Sequence, residues 1–257
     1  MRDHHDPHDI PSFDSFGEGS PGPAFDPSDP SDLGVVPLFP LPNFVIFPRA
    51  VHPLHIFEER YKAMTRHALE GDRRIAMALL RPGWEKSYYG RPAIEPVVCV
   101  GTILTHERLD DGKYNFLLQG TARARIVKEV GNEPYRLARL QRLPEVEADE
   151  PALAEFRRRM VESFAFGPLS ETVAGRQFGR LLRTPLSTPD LADLIAFSLL
   201  DGVELKQSLL ADVDVRRRVG RALEALDAVR PPPGAEPAAQ PAPTSASVRA
   251  FRRPGMN

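Results

Sequence analysis

The sequence predicts an α+β fold, in which a barrel-like β-sheet domain with one packed helix precedes a C-terminal helical bundle. Between residues 35 and 145, short apolar segments alternate with Pro and Gly, a spacing typical of a compact, barrel-like sheet. After residue 147 the apolar repeat lengthens from two residues to about 3.6, which is typical of helices. The chain has 257 residues, 42% of them apolar, which is enough for a substantial core.

One β-hairpin of the sheet domain is nearly explicit in the sequence DDGK at residues 110–113. The Asp-Gly pair tolerates the positive φ angles of a tight turn, and apolar runs lie on both sides of it. We therefore expect strands at 100–109 and 114–119 to pair antiparallel.

The packed helix of the sheet domain is predicted to begin at Phe57. Glu58 and Glu59 place negative charge at the positive end of the helix dipole, and Gly71 is a natural stop. The apolar positions repeat at helical spacing: Phe57, Tyr61, Met64 and Ala68. We expect this stripe to pack on the sheet.

Three or four helices are predicted for the second half of the chain, and they would form a small bundle. The first carries an apolar stripe of Leu153, Phe156, Met160, Val161 and Phe164. Thr188 is expected to cap a later helix, with Pro189 in its first turn. The last helix carries a second stripe of Val215, Val219, Ala222, Leu223 and Leu226.

Both ends of the chain are predicted to be disordered, because neither can bury enough apolar surface to offset the loss of chain entropy. The chain then divides into an acidic, Pro-rich tail at 1–34, a β domain at 35–146, a helical subdomain at 147–230 and a Pro/Ala-rich tail at 231–257.

Charge and hydropathy narrow the possible partners. The chain has 33 basic and 35 acidic residues, and the acidic excess lies in the first tail. The remainder is mildly basic, too weakly to indicate nucleic acid by itself. Apolar runs stay below the roughly 18 residues of a membrane span, and the acidic start is unlike a signal peptide. We expect a cytoplasmic protein that does not bind membranes.

The sequence predicts no enzyme and no cofactor. It lacks a Gly-rich phosphate loop, a Gly-x-Ser-x-Gly elbow, a His-Glu-x-x-His pair and a Cys-x-x-Cys pair. Its only cysteine, Cys99, lies in the apolar strand pattern VVCVG, where a buried thiol is the ordinary outcome.

The best metal-ligand pattern is His52-x-x-His55-x-x-Glu58. Residues three apart on an extended chain point to opposite faces, so His52 and His55 should diverge unless the backbone bends. We therefore expect no metal site.

Aromatic residues in two segments are the candidates for binding a polypeptide. In the first segment, Phe39, Phe44 and Phe47 lie among prolines that break strict strand alternation, which leaves room for an exposed apolar groove. Packing in the core is the alternative for each of them.

The second segment is the loop at 81–96, which contains Trp84, Tyr88 and Tyr89. Long loops inside compact domains are often functional, and Trp, Tyr and Arg dominate binding hot spots. A local lid over the sheet is the alternative role for this loop.

A basic stripe offers a different function, RNA binding. Arg123, Arg125 and Arg139 fall in adjacent predicted strands, and strand alternation puts Arg123 and Arg125 on one face. The alternative is that TARARIV simply alternates solvated arginines with buried residues. Aromatic residues for stacking bases do not interleave with these arginines, which disfavours nucleic acid.

Three blocks of the sequence carry a family resemblance. The first two are VPLFPLPNFVIFPRAVHPLHIFEERYKAM and VGTILTHERLDDGKYNFLLQGTARARI. They resemble the N-terminal substrate-binding domain of ATP-dependent Lon proteases, and LADLIAFSLLDGVELKQSLLADVDVRRRV is similar to its later helices. The similarity spans roughly 35–229, and residues 165–187 fit it less well.

The resemblance implies a PUA-like β domain followed by helices, with no catalytic residues of its own. It implies recognition of unfolded or partner polypeptides, with a separate protease or ATPase as a possible partner. The ATPase and Ser-Lys protease modules of Lon would need several hundred further residues, so we expect a free-standing substrate-binding-domain protein.

Overall fold

A computed structural model describes residues 29–87, 90–131, 133–167 and 169–228. Residues 1–28 of the first predicted tail, the whole second tail at 231–257, and Tyr88 and Tyr89 lie outside these residues. The first strand begins at Asp32, inside the segment predicted to be the N-terminal tail.

Six strands form the β part of the described residues. Their bounds are Asp32–Leu41 (β1), Val51–Ile56 (β2), Arg74–Leu79 (β3), Val97–Arg108 (β4), Tyr114–Val130 (β5) and Arg136–Arg142 (β6). The sheet order is β2-β5-β4-β3-β1-β6, and β5 also pairs with β6. Strand pairing therefore runs in a circuit through five strands, β5, β4, β3, β1 and β6, and β2 pairs with β5 beside this circuit. Strands β1 and β3 are parallel, and the other pairs are antiparallel.

The predicted hairpin is confirmed. Strands β4 and β5 pair antiparallel from Arg108 opposite Tyr114. In the turn, the Leu109 amide donates to the Lys113 carbonyl at 2.9 Å, and Gly112 has a φ of 76°. A side chain at that angle would be strained, which explains the glycine.

Six helices accompany the strands in the described residues. Their bounds are Glu59–Glu70 (α1), Glu150–Ala165 (α2), Val173–Leu181 (α3), Thr188–Ser198 (α4), Val203–Ala211 (α5) and Val215–Ala228 (α6). Gly71 directly follows the last residue of helix α1 and caps it, as predicted, but the helix begins at Glu59 rather than Phe57. None of the helices in the described ranges combines the length and the hydrophobicity needed to cross a membrane.

The helical half contains one helix more than the sequence predicts, within the described residues. The additional helix, α3, lies in the segment that fits the family pattern least well, and the Thr172 hydroxyl caps it by accepting from the Gly175 amide. The predicted cap of α4 was wrong by one residue. Ser187 accepts from the Asp190 amide, whereas the buried Thr188 hydroxyl donates to Glu150.

Two hydrophobic cores follow from this topology. The first lies within the circuit of strands and consists of small and branched residues: Val36, Leu38, Ala76, Ala78, Val98, Val100, Ala124, Ala138 and Leu140. The second core joins the outer surface of the strands to the helices. All five predicted residues of the α6 stripe are buried in it. In α2 the prediction fails at Val161, which is 39% exposed.

Candidate functional site

Phe39 and Phe47 are core residues, which corrects the suggestion that they line an exposed groove. Both are buried. The ring of Phe39 packs against Tyr61 of α1 at 4.6 Å between centroids. Phe47 lies beneath the guanidinium of Arg123, 6.0 Å from its central carbon. Neither side chain can meet a polypeptide without repacking of the core.

Phe44 is partly buried and connects the sheet to the helices. Its ring lies 4.6 Å from the His52 ring and 6.2 Å from the Phe197 ring, between centroids. Phe197 belongs to α4, so Phe44 holds the β1–β2 connection against that helix.

The two histidines of the candidate metal pattern diverge, as strand alternation predicts. His52 packs against Phe44 and Phe197. The Nδ1 atom of His55 instead lies 2.7 Å from the amide oxygen of Asn115. Among the described residues, no group of three or more His, Cys, Asp or Glu side chains is arranged to hold a metal ion.

Burial of His52 predicts a pH-dependent stability. Burial lowers the pKa of this imidazole below its ordinary value because the charged form loses water. Between the lowered pKa and the unfolded value of about 6.5, the unfolded chain binds more protons than the folded chain. We therefore expect the free energy of unfolding to fall as the pH falls below about 6.5.

Urea denaturation of the wild type, His52→Gln and His106→Gln across this pH range measures the effect. His52→Gln should reduce the pH dependence, whereas His106→Gln, at an exposed position, should leave it nearly unchanged. Equal slopes for the wild type and His52→Gln would contradict the expectation.

The predicted arginine stripe is largely engaged in ion pairs. Arg123 is only 5% exposed, and it donates to Asp193 at 2.6 Å. Arg139 donates to Asp32 at 2.8 Å, whereas Arg125 is exposed. Arg123 and Arg125 do lie on the same side of β5, but helices cover Arg123. The structure therefore contradicts Arg123 as an RNA contact, because a buried, paired guanidinium cannot reach a phosphate.

Arg123 instead belongs to an ion cluster between the sheet and the helices, which we call the buried ion cluster. It consists of the buried side chains of Arg123, Asp193 and Arg218 together with the exposed Glu145. Arg218 lies 2.7 Å from Glu145 and 3.5 Å from Asp193. Arg123 also donates to the carbonyl of Leu210 at the end of α5. Burial raises the pKa of the Asp193 carboxyl, and the charge of Arg123 opposes this effect. The cluster ties β5 to α4, α5 and α6.

Cys99 is buried in the strand pairing opposite Arg123. Burial raises the pKa of its thiol to about 12. A thiol that stays protonated at neutral pH is a poor nucleophile, so the geometry gives Cys99 a packing role.

The loop that contains Trp84 is anchored at its base by strand-like hydrogen bonds. The Arg81 amide donates to the Ala93 carbonyl at 2.9 Å, and the Glu95 amide donates to the Leu79 carbonyl at 2.8 Å. Between these anchors, Trp84 begins a short 3-10 helix at Trp84–Ser87 and is partly buried. Tyr88 and Tyr89 lie beyond the described residues, so their candidate role stays a prediction.

Trp84 lies on one wall of a groove of about 600 Å³, which we call the Trp84 groove. This volume falls within the roughly 300–1,000 Å³ of small ligand sites. Its loop wall includes Pro82, Trp84 and Pro96. Its helix wall is formed by α5 and includes Val203 and Ala211. The groove thus lies where the loop, the sheet and the length of α5 meet.

Helix α5 was not predicted to contribute to a site. Gln207 fixes this helix in place, because its buried side-chain amide donates to the Val97 carbonyl at the start of β4 at 2.9 Å. The sequence offers no local signal for this contact, since β4 and α5 are about 100 residues apart. In the sequence, only the resemblance of the run that contains Lys206 and Gln207 to the later Lon helices drew attention to α5.

The rim of the Trp84 groove is acidic. Glu85, Glu95 and Glu204 line it, and the described lining contains no Lys or Arg. Glu95 pairs with Arg81 at 3.2 Å. In the described part of the chain, Glu85 and Glu204 form no ion pair. The groove therefore offers apolar walls beside two carboxylates that remain available to a cation.

A second exposed apolar surface lies on β2, β4 and β5. It is formed by Val51, Leu104 and Leu117, each at least 36% exposed. Leu117 lies opposite Pro53 in the strand pairing. We call these three residues the sheet patch, and they provide a comparison for the groove.

Comparisons with known proteins agree on one type of domain. A family model described as ATP-dependent protease La (LON) substrate-binding domain matches residues 35–228. Lon protease 2 of Myxococcus xanthus is 29% identical over 207 residues, covering 76% of this chain and 24% of the relative. Lon protease of Desulfosudis oleivorans is 24% identical over 192 residues, covering 75% of this chain and 24% of the relative. The chain spans about a quarter of the length of these curated relatives.

Two solved structures share the fold. The N terminal domain of Mycobacterium avium complex Lon protease has a TM-score of 0.59 at 18% identity, covering 75% of this chain and 98% of that chain. A Lon N-terminal domain protein from Xanthomonas campestris has a TM-score of 0.54 at 22% identity, covering 77% of this chain and 99% of that chain. The resemblance and the α+β fold class predicted from the sequence are confirmed.

Proposed function

Because the chain belongs to the LON substrate-binding domain family, we propose that it is a non-catalytic module that binds unfolded or partner polypeptides in the Trp84 groove. The observation that carries this proposal is the combination of apolar walls and an acidic rim in one groove. The family supports recognition of a protein substrate, and the groove supplies a surface that suits one.

The groove favours a particular kind of polypeptide segment. Its apolar walls suit a large apolar side chain, and burying one contributes about 1.5–3 kcal/mol. The carboxylates of Glu85 and Glu204 suit a Lys or Arg next to that side chain. Unfolded chains expose such segments, whereas folded proteins bury their apolar side chains. The groove is therefore selective for unfolded polypeptide without reading a long sequence.

The proposal includes a partner. We propose that the bound polypeptide is passed to a separate protease or ATPase, because the family model describes the matched region as the substrate-binding domain of an ATP-dependent protease. In the described lining, the one hydroxyl group that could act as a nucleophile belongs to Ser208. It donates to the Leu205 carbonyl and accepts from Arg221, so no base activates it.

Replacing Trp84 with Ala tests the site. We expect about tenfold weaker binding of a labelled, permanently unfolded polypeptide, because a central aromatic anchor often contributes more than 1 kcal/mol. Fluorescence anisotropy of the full chain measures this affinity, and circular dichroism checks that the variant is folded.

Leu117→Ala on the sheet patch is the matched control, and it should leave the affinity nearly unchanged. Weaker binding by Leu117→Ala together with normal binding by Trp84→Ala would move the site to the sheet patch. Normal binding by both variants would contradict a binding role for either surface.

A further inference from the structure

The charge of the Trp84 groove points to a ligand within the same chain. Two rim carboxylates, Glu85 and Glu204, form no ion pair among the described residues, beside apolar walls. A complementary ligand would present one large apolar side chain between cations. This requirement can be compared directly with the sequence beyond the described residues.

Residues 249–253, with the sequence RAFRR, meet this requirement. Phe251 is the only aromatic residue after Phe197, and Arg249, Arg252 and Arg253 flank it. The other terminal segment, residues 1–28, is strongly acidic and would be repelled by the rim. Charge complementarity therefore selects the C-terminal segment over the N-terminal one.

We propose that residues 249–253 dock in the Trp84 groove as a self-ligand, with Phe251 against the apolar walls and the arginines at Glu85 and Glu204. An external polypeptide must displace this segment before it binds. This inference rests on the proposed function in one respect: residues 249–253 and the external polypeptide are proposed to compete for the same groove.

The intervening chain is long enough for this docking. Helix α6 ends at Ala228, and the roughly 20 residues that separate it from residue 249 span at most about 70 Å when extended. A folded body of this size is on the order of 40 Å across. Every point on its surface is therefore within reach of the segment.

Tethering also makes weak docking sufficient. A segment joined by a short linker has an effective concentration in the millimolar range. A dissociation constant of about 100 μM for the free segment would then leave the groove about 90% occupied. An external polypeptide would bind about tenfold more weakly than it binds the empty groove.

The only tryptophan of the chain lies in this groove, so its fluorescence reports the occupancy. The experiment uses the full chain with Phe251→Ala, with Arg252→Glu combined with Arg253→Glu, and with Phe13→Ala as the matched control. For the two C-terminal variants we expect a red shift of Trp84 emission and about tenfold tighter binding of the unfolded probe. Phe13→Ala should resemble the wild type.

Salt provides a second test, because ion pairs at an exposed rim are screened. Raising the salt should shift wild-type emission toward that of the C-terminal variants and change the variants little. If the wild type and all three variants have the same Trp84 emission and the same probe affinity, the self-ligand is overturned and the proposed function still stands. A variant-specific red shift without probe binding by any chain would support the self-ligand and contradict the proposed function.

Discussion

Replacing Asp193 with Asn is expected to destabilise the fold by about 3 kcal/mol or more. The carboxylate lies 2.6 Å from Arg123 and 3.5 Å from Arg218, and both guanidinium groups are almost fully buried. Asn keeps the shape but removes the charge, so two buried cations would share only Glu145. The loss of an ion from a buried pair typically costs about 3–5 kcal/mol, and Glu145 places the expected value at the lower end.

Asp190→Asn on the same helix is the matched control. Asp190 pairs at 3.4 Å with Arg49, whose side chain is 61% exposed. Removal of such a pair should cost less than about 1 kcal/mol. Urea denaturation at neutral pH measures both variants. Equal, small losses would show that the buried ion cluster does not hold the sheet and the helices together.

Gly120→Ala is the second substitution expected to have a large effect, about 3 kcal/mol of lost stability. A Cβ at this position would lie 2.1 Å from the Phe47 carbonyl oxygen, closer than any real contact. The surrounding backbone cannot yield easily. The Arg49 amide donates to Gly120, and the Gly120 amide donates to Ala50. The chain that carries Phe47 must therefore separate from β5.

Gly179→Ala is the control for the second substitution, and it is expected to raise the stability rather than lower it. Gly179 lies within α3 and has no atom within 4 Å of an added Cβ. Ala should raise the stability there by about 0.5–1 kcal/mol, since Gly is a poor helix former. Thermal or urea unfolding of the two variants gives the comparison, and a tolerated Gly120→Ala would contradict the close approach.

Local patterns predicted the elements that depend on local chemistry. The Asp-Gly turn at 111–112 and the buried stripe of α6 were correct, because turn angles and helix periodicity are set by nearby residues. Helix α3 was missed, since its segment is short and fits the family pattern poorly. The cap of α4 was misplaced because Ser187 and Thr188 are adjacent and both can cap.

The candidate sites were harder to predict because burial depends on distant contacts. Arg123 alternates along β5 like a surface residue, but Asp193, 70 positions later, buries and pairs it. The prolines around Phe39 suggested exposure, yet α1 covers that side chain through Tyr61. Trp84 was a candidate from its loop and residue type, whereas the α5 wall opposite it required the tertiary structure.

Fluorescence anisotropy of the full chain with two labelled probes tests the central claim most directly. The probes are a permanently unfolded polypeptide and a single-stranded RNA, each at low and moderate salt. Recognition by the Trp84 groove predicts polypeptide binding that persists or strengthens at moderate salt, because salt releases the self-ligand. It also predicts little RNA binding at either salt concentration. Binding of RNA alone, lost steeply as salt rises, would contradict it and indicate a phosphate-dominated contact.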